Sequence, residues 1–309
     1  MLSSTRVSAM RDAAAAEPSQ RPGWRVVLGS LARDRFALVS AIVLLLALIC
    51  AIVGPSMFAD EARKLNLRAR NMAPFSLENG WMFVLGADAL GRSLLARIIV
   101  AAQNTLLISA TTVVIAAVFG SFLGLVAGYR GGWVGAVLLR LADAIMSFPS
   151  MLLAVIVLFV FEPGVINVIL VLAISRMPIF LRTVRAEVLE IRERMFVQAA
   201  RVMGASQTRI LFRHILPNIS SLLIIDATLN VATAVLAETG LSFFGFGIKS
   251  PDTSLGTLLS VGSRQATTFP WLFLPPAIAV VLLLLAVNAV GDGLRDALDP
   301  NSGAGGSSK

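Results

Sequence analysis

Between Arg97 and Arg130 the chain carries no charged side chain. A helix over that stretch, at about 1.5 Å per residue, is about 50 Å long, more than a ~30 Å hydrocarbon core requires. No water-soluble domain of ordinary size hides so long an apolar helix, so the segment is predicted to cross a bilayer, tilted or projecting beyond the lipid. Hydrophobic residues make up 57% of the chain and charged residues 14%, against roughly 25% charged in soluble domains. The whole chain therefore takes lipid as its solvent.

Five further apolar runs cover residues 37–54, 144–161, 164–181, 215–237 and 265–291. The first is longer than the ~7–15-residue core of a signal peptide. Ile49 before Cys50 is no small residue of a lipoprotein cleavage site, so the run is expected to be an uncleaved anchor. The fourth run holds Arg176, which is expected to snorkel to a membrane edge. Six spans put the arginine-rich 182–213 segment on the same side as Arg6, Arg11, Arg21, Arg25, Arg33 and Arg35. Omitting the fourth would reverse that, against the positive-inside bias. The expected fold is an all-α, polytopic bundle of six transmembrane helices with both termini cytoplasmic. Its parts are an N-terminal segment, 1–36, with an amphipathic helix over 24–35; the first span and outer loop, 37–97; the core, 98–292, with a loop at 182–217; and a tail, 293–309.

The net charge of +8 is accounted for by this orientation, not by nucleic acid. A single cysteine and a single histidine, Cys50 and His214, exclude an internal disulfide and argue against a zinc or multi-histidine centre. Paired catalytic groups at one depth are lacking, which argues against a membrane-embedded enzyme. A P-loop needs Gly-x-x-x-x-Gly-Lys-Ser/Thr. The lysines are Lys64, Lys249 and Lys309, and Ile248 precedes Lys249, so no ATP-hydrolysing motif is present.

The 182–217 loop carries helical periodicity. Val188, Ile191, Met195, Ala199, Val202 and Met203 fall on one face at spacings of three and four. Gly204 interrupts it, a second short helix is expected over 206–214, and Leu216-Pro217 follow. Two readings stay open: a platform across the ends of the spans, or an amphipathic hairpin that anchors the loop on the membrane surface. Within the spans, Asp226, Asn230 and Thr233 share a face at i, i+4 and i+7, as do Thr105, Ser109 and Thr112. A polar path lining and interhelical hydrogen bonding both suit such stripes. Gly120, Gly124 and Gly128 repeat every four residues, the spacing of close helix packing. Arg140 and Asp143 are expected to pair locally.

Four ordered motifs carry a resemblance. Gln198-Ala199-Ala200, three residues, Gly204, nine residues and His214-Ile215-Leu216-Pro217-Asn218 resembles the cytoplasmic-loop motif of ABC-importer permeases, with Gln198 and His214 departing from it. Leu85 to Ser93 is similar to the Leu-Gly-Thr-Asp-x-x-Gly-Arg-Asp segment of the peptide and nickel branch, with Ala87 and Ser93 departing. Asp143 through Phe148-Pro149, and Glu238-x-x-Leu241-Ser242-Phe243-Phe244-Gly245-Phe246-Gly247, complete the match over about residues 24–300. Within that branch the chain most resembles the C-type subunit of dipeptide/oligopeptide permeases.

The resemblance implies the fold of a type I importer permease and a coupling helix over 199–217 that fits a groove on a nucleotide-binding subunit. Ala199 and Ala200 would allow close approach, Gly204 the turn, and Pro217 a stop before the fifth span. Arg201, Arg209 and Arg213 would meet acidic partner residues. The implied partners are a second, B-type permease, two ATPase subunits carrying ATP and Mg²⁺, and an extracytoplasmic binding protein that contacts the outer segments 55–97 and 239–271. The implied setting is a bacterial inner membrane. The implied cargo is peptide, with nickel next. An ion-coupled secondary transporter is the alternative, for which Asp226 is the one well-buried carboxylate expected and no inverted repeat is evident.

Overall fold

The computed structural model describes residues 35–76, 80–249 and 251–298; the amphipathic helix expected over 24–35 lies almost wholly outside them. Nine helices are named here in chain order: α1 (Arg35–Arg63), α2 (Leu94–Arg130), α3 (Gly132–Met146), α4 (Ser150–Phe161), α5 (Val165–Ile191), α6 (Met195–Val202), α7 (Leu216–Phe243), α8 (Leu255–Ser263) and α9 (Leu274–Leu298). No β-strand occurs among the described residues. Five helical segments are long and apolar enough to span a bilayer, and α3 with α4 makes a bent sixth.

The spans are longer than the apolar runs suggested, because charged and polar ends remain helical outside the lipid. α2 starts at Leu94, where the Ser93 side chain accepts from the Ala96 N–H at 3.3 Å, and ends at Gly131, whose φ is +61°. Gly120, Gly124 and Gly128 form its seam with α5. A Cβ on Gly120 would stand 2.6 Å from the Met177 carbonyl oxygen, one on Gly124 2.7 Å from that of Leu181, and one on Gly128 2.7 Å from Val188 Cβ. The small-residue repeat therefore packs inside this chain, backbone against backbone. α1 packs on α2, and α9 on α1 and α7, with Ala51, Leu283 and Val287 turned inward; residues of α1 such as Ile52 are exposed.

The run over 144–161 is not one straight helix. α3 ends at Met146, α4 begins at Ser150, and their axes bend by 84°. Pro149 supplies no N–H for a continuing helix and disfavours helical backbone at Phe148. Asp143 on α3 does not pair with Arg140; it makes an ion pair with Arg182 of α5, tying the first limb of the broken span to the central seam. Arg176 sits near the middle of α5 and reaches across to Thr233 of α7. At the outer end the expected sixth span is trimmed: residues 265–269 form turns, and the helix proper starts at Leu274.

Candidate functional site

The loop after α5 is built around a buried apolar cluster: Leu125, Val184, Val188, Ile191, Val197, Ile210, Ile215 and Ile219. α5 ends at Ile191, and Gln198 donates from Nε2 to the Glu193 carbonyl oxygen at 3.0 Å, closing the turn into α6. This break splits the stripe read from the sequence. Val188 and Ile191 are buried on α5, but Met195, Val202 and Met203 stand 83%, 89% and 80% exposed on and beside α6. Val197 and Ala200 face inward instead. The three-residue turn changed the phase of the helix, and single-helix periodicity cannot register that.

Gly204 has φ +81° with open space around its Cα. Its N–H bonds the Arg201 carbonyl oxygen at 3.0 Å, and the Ala205 N–H bonds that of Ala200 at 3.0 Å. These are the paired bonds of a Schellman C-cap, which calls for a left-handed residue at this place. Ser206 then caps the next turn through its Oγ, which accepts from the Arg209 N–H at 3.3 Å. Ala199 and Arg201 lie on the exposed side of α6, and the Arg201 guanidinium sits 6.0 Å from the centroid of the Tyr129 ring. Arg209 and Arg213 are exposed, and His214, Leu216 and Pro217 half-buried.

Pro217 does not stop the helix. Gln207 to Phe243 is one continuous helical span, with a π-helical stretch at Ile210–Ile215. Proline lacks the N–H that the Arg213 carbonyl would accept, and its ring crowds that carbonyl. The chain responds by widening: the Leu216 N–H reaches the Leu211 carbonyl oxygen, and Asn218 Nδ2 donates to the His214 carbonyl oxygen at 2.5 Å. A wide turn inside an otherwise α-helical span is a feature often found at functional sites.

Inside the span, Asn230 is buried, its Nδ2 donating to the Asp226 carbonyl oxygen at 2.8 Å. Thr233 is exposed and donates to the Asn230 carbonyl oxygen at 2.9 Å. Asp226 is half-buried. Arg176 crosses from α5 to Thr233, donating to Oγ1 at 3.0 Å and to the carbonyl oxygen at 3.1 Å. Thr105, Ser109 and Thr112 are all fully buried, and Thr105 Oγ1 accepts from the Leu255 N–H at 3.1 Å, holding the start of α8. Of that stripe, Thr105 alone bonds a neighbouring element; Ser109 Oγ and Thr112 Oγ1 are buried without a hydrogen-bond partner among the described residues. The most buried carboxylate among the described residues is Glu238, which the sequence placed in a motif but not inside the bundle. It is 0% exposed and accepts from Ser242 Oγ at 2.6 Å. Ending the fifth span at residue 237 hid it; its i, i+4 spacing to Ser242 was the available signal.

The Leu85–Ser93 segment folds into a charge knot at the N-terminal end of α2. Asp88 Oδ1 accepts from the backbone N–H groups of Leu90 and Arg92, both at 2.9 Å. Oδ2 accepts from Arg92 Nε at 2.8 Å and from Arg97 Nη1 at 2.5 Å. Gly91, at φ +72°, lies where a Cβ would strike the Asn66 carbonyl. Ser93 Oγ donates to the Met82 carbonyl oxygen at 2.6 Å. The motif is thus a self-contained scaffold for the outer loop. Among the described residues no group of three metal-ligating side chains converges.

A broken third span, a glycine-seamed core and a short helix held across the span ends define a class: the membrane-embedded permeases of binding-protein-dependent transport. Residues 120–302 match the family described as binding-protein-dependent transport system inner membrane component, and the chain belongs to it. It is 42% identical to the oligopeptide transport system permease protein OppC of Mycobacterium tuberculosis, over 90% of this chain and 94% of that one. Identity to the dipeptide transport system permease protein DppC of Alkalihalophilus pseudofirmus is 36%, over 90% of each chain. The fold matches a chain of the inward-facing MetNI methionine ABC transporter with TM-score 0.52 and 20% identity, covering 64% of this chain and 95% of that one.

Proposed function

We propose that this chain is the C-type permease subunit of an ATP-driven peptide importer, forming half of a translocation path with a second, B-type permease. The observation that carries the coupling role is the face of α6. Val197 roots the helix in the buried cluster and Ala200 is buried beside it, while Met195, Val202 and Met203 project outward, exposed among the described residues. Exposed apolar side chains grouped on a rigid support suit a protein partner. Arg209 and Arg213 beside them suit acidic groups on that partner. The partner is an ATPase subunit, one of two, which bind ATP and Mg²⁺ that this chain has no motif to hold. Gln198, Ala199, Ala200, Arg201, Gly204, His214, Leu216 and Pro217 shape the platform. Asp226, Asn230 and Thr233 belong to the span that platform moves, as one helix continues from the loop into the bilayer.

In this reading the α6 end of the bundle and both termini face the cytoplasm of a bacterial inner membrane, and the Asp88 knot faces the external binding protein. Two relatives carry oligopeptide and dipeptide transport in their names, which favours peptide over nickel as cargo. The test is co-purification and reconstitution. Tagged protein should bring down a second permease and two ATPase chains, and proteoliposomes should import peptide only with ATP and the binding protein. M195S/V202S/M203S should insert normally and lose the ATPase chains. Uptake by this chain alone, driven by an ion gradient, overturns the proposal in favour of a secondary transporter.

A further inference from the structure

Arg176 is a cation within the apolar part of α5. At about 1.5 Å per residue it lies about 16 Å from the start of α5 and about 8 Å from the end of the apolar run at Leu181. Its two hydrogen bonds go to neutral acceptors on Thr233. No carboxylate makes an ion pair with it among the described residues. Asp226 is two helical turns from Thr233 along α7. An arginine has five N–H donors, so three remain beyond the two used here. A charge at such depth is costly against lipid tails and is found facing a watery cavity or an opposite charge.

Arg176 does face a cavity. It lies in the bend of the broken span, about 350 Å³ in volume, between Phe148, Pro149 and Ser150 on one side and Ser175, Arg176 and Ile179 on the other. Ile145, Met146 and Leu153 complete an apolar wall. A second, smaller space lies on the far side of Ser150 and Arg176, reaching Ala237 and Leu241 of α7. So a cation without a carboxylate partner among the described residues sits beside a recess with an apolar wall and a polar side of Ser150 and Ser175, large enough for one residue of a peptide and its terminus. The bend supports the same polarity: α4 begins at Ser150 with no side-chain cap, leaving first-turn N–H groups beside the recess.

We propose that Arg176 is a substrate-binding residue, taking the C-terminal carboxylate of the transported peptide while the recess takes its last side chain. This rests on the peptide-importer reading above and names the chemical handle by which the permease itself, apart from the binding protein, holds its cargo. The binding partner is a free α-carboxylate next to a preferably apolar residue. Broken helices at mid-membrane are where transporters commonly bind anionic groups.

The test uses the whole complex in proteoliposomes with its binding protein. A radiolabelled peptide that the binding protein takes up is compared with its C-terminal amide, both at saturation of the binding protein. At that saturation the amide should be taken up about ten- to a hundredfold more slowly, the loss expected for a hydrogen bond to a charged group. In R176Q the acid should fall to the level of the amide, and R176K should recover part of the difference. Should the binding protein reject the amide, a photo-crosslinker at Ile179 provides the second readout: it should label the C-terminal residue of the acid in wild type and lose it in R176Q. Acid and amide taken up equally by wild type, or lowered equally by R176Q, overturns the proposal. So does failure of R176Q to co-purify with the second permease, which would assign the guanidinium to an acid across that interface. No ATP-dependent uptake of any peptide would instead refute the importer reading.

Discussion

Asp88→Asn removes one negative charge and almost no volume from the outer knot, so its effect isolates electrostatics. Asp88 and Arg97 side chains are 5% and 9% exposed, and Arg92 19%. Asparagine keeps an acceptor for the Leu90 and Arg92 N–H groups at its Oδ1. Its amide nitrogen, however, then points donors at two guanidiniums. Breaking a buried ion pair costs about 3–5 kcal/mol, because the remaining charge is stranded. Arg92 is partly solvated, which favours the lower end, about 3 kcal/mol. At a few degrees per kcal/mol for a chain of this size, the midpoint of unfolding should fall by about 5–15 °C. Scanning fluorimetry of the detergent-purified complex reads this directly. Arg97→Met should cost less, since Asp88 keeps Arg92. The double variant D88N/R97M should be more stable than the sum of the single losses implies, by about 2 kcal/mol, because the stranded cation is gone. Salt should change little, the pair being shielded from the solvent that screens surface charges. A midpoint shift under about 2 °C for D88N, or strict additivity of the two changes, would refute the reasoning.

Three further outcomes are expected. Gly204→Val places a β-branched side chain at φ +81° and should cost about 1–2 kcal/mol locally; Gly204→Asn, which tolerates that conformation, should keep substrate-stimulated ATP hydrolysis that the valine variant loses, and Gly204→Asp should insert yet lose stimulation through its charge at the platform. Gly124→Leu drives a side chain into the Leu181 carbonyl and Val184; overpacking of about 1–3 kcal/mol or more should appear as a lowered midpoint and faster protease cleavage of purified protein. Glu238→Gln should change stability by less than about 1 kcal/mol, since amide oxygen still accepts from Ser242, whereas Glu238→Ala strands that hydroxyl and opens a cavity, costing about 2–4 kcal/mol in the same assay.

Much of this was legible in the residues themselves. Charge-free runs located the spans because lipid tolerates few alternatives to a long apolar helix. The glycine repeat announced a close helix contact, and the Gln198 to Pro217 spacing marked the loop proposed to meet a partner. Those are local properties, set by composition and short spacings. The boundaries failed where lipid stopped being the criterion: α2, α5 and α7 all continue past their apolar runs, since polar helix ends are stable in water or against neighbouring loop.

What only the tertiary structure decided was which side of each element faces what. Periodicity placed Met195 with Ile191 because it assumes one helix axis, and a three-residue turn rotated them apart. Pro217 read as a terminator because a proline removes one bond of an α-helix; the neighbouring carbonyls could be satisfied by a π-turn and by Asn218, so the helix went on. The contact of Arg176 with Thr233 joins residues 57 positions apart in sequence, beyond any local pattern. The sequence by itself determined a polytopic helical permease without a motor. The structure determined the phase of its platform, the break in its third span and the partner of Arg176, all of which depend on contacts between residues far apart along the chain.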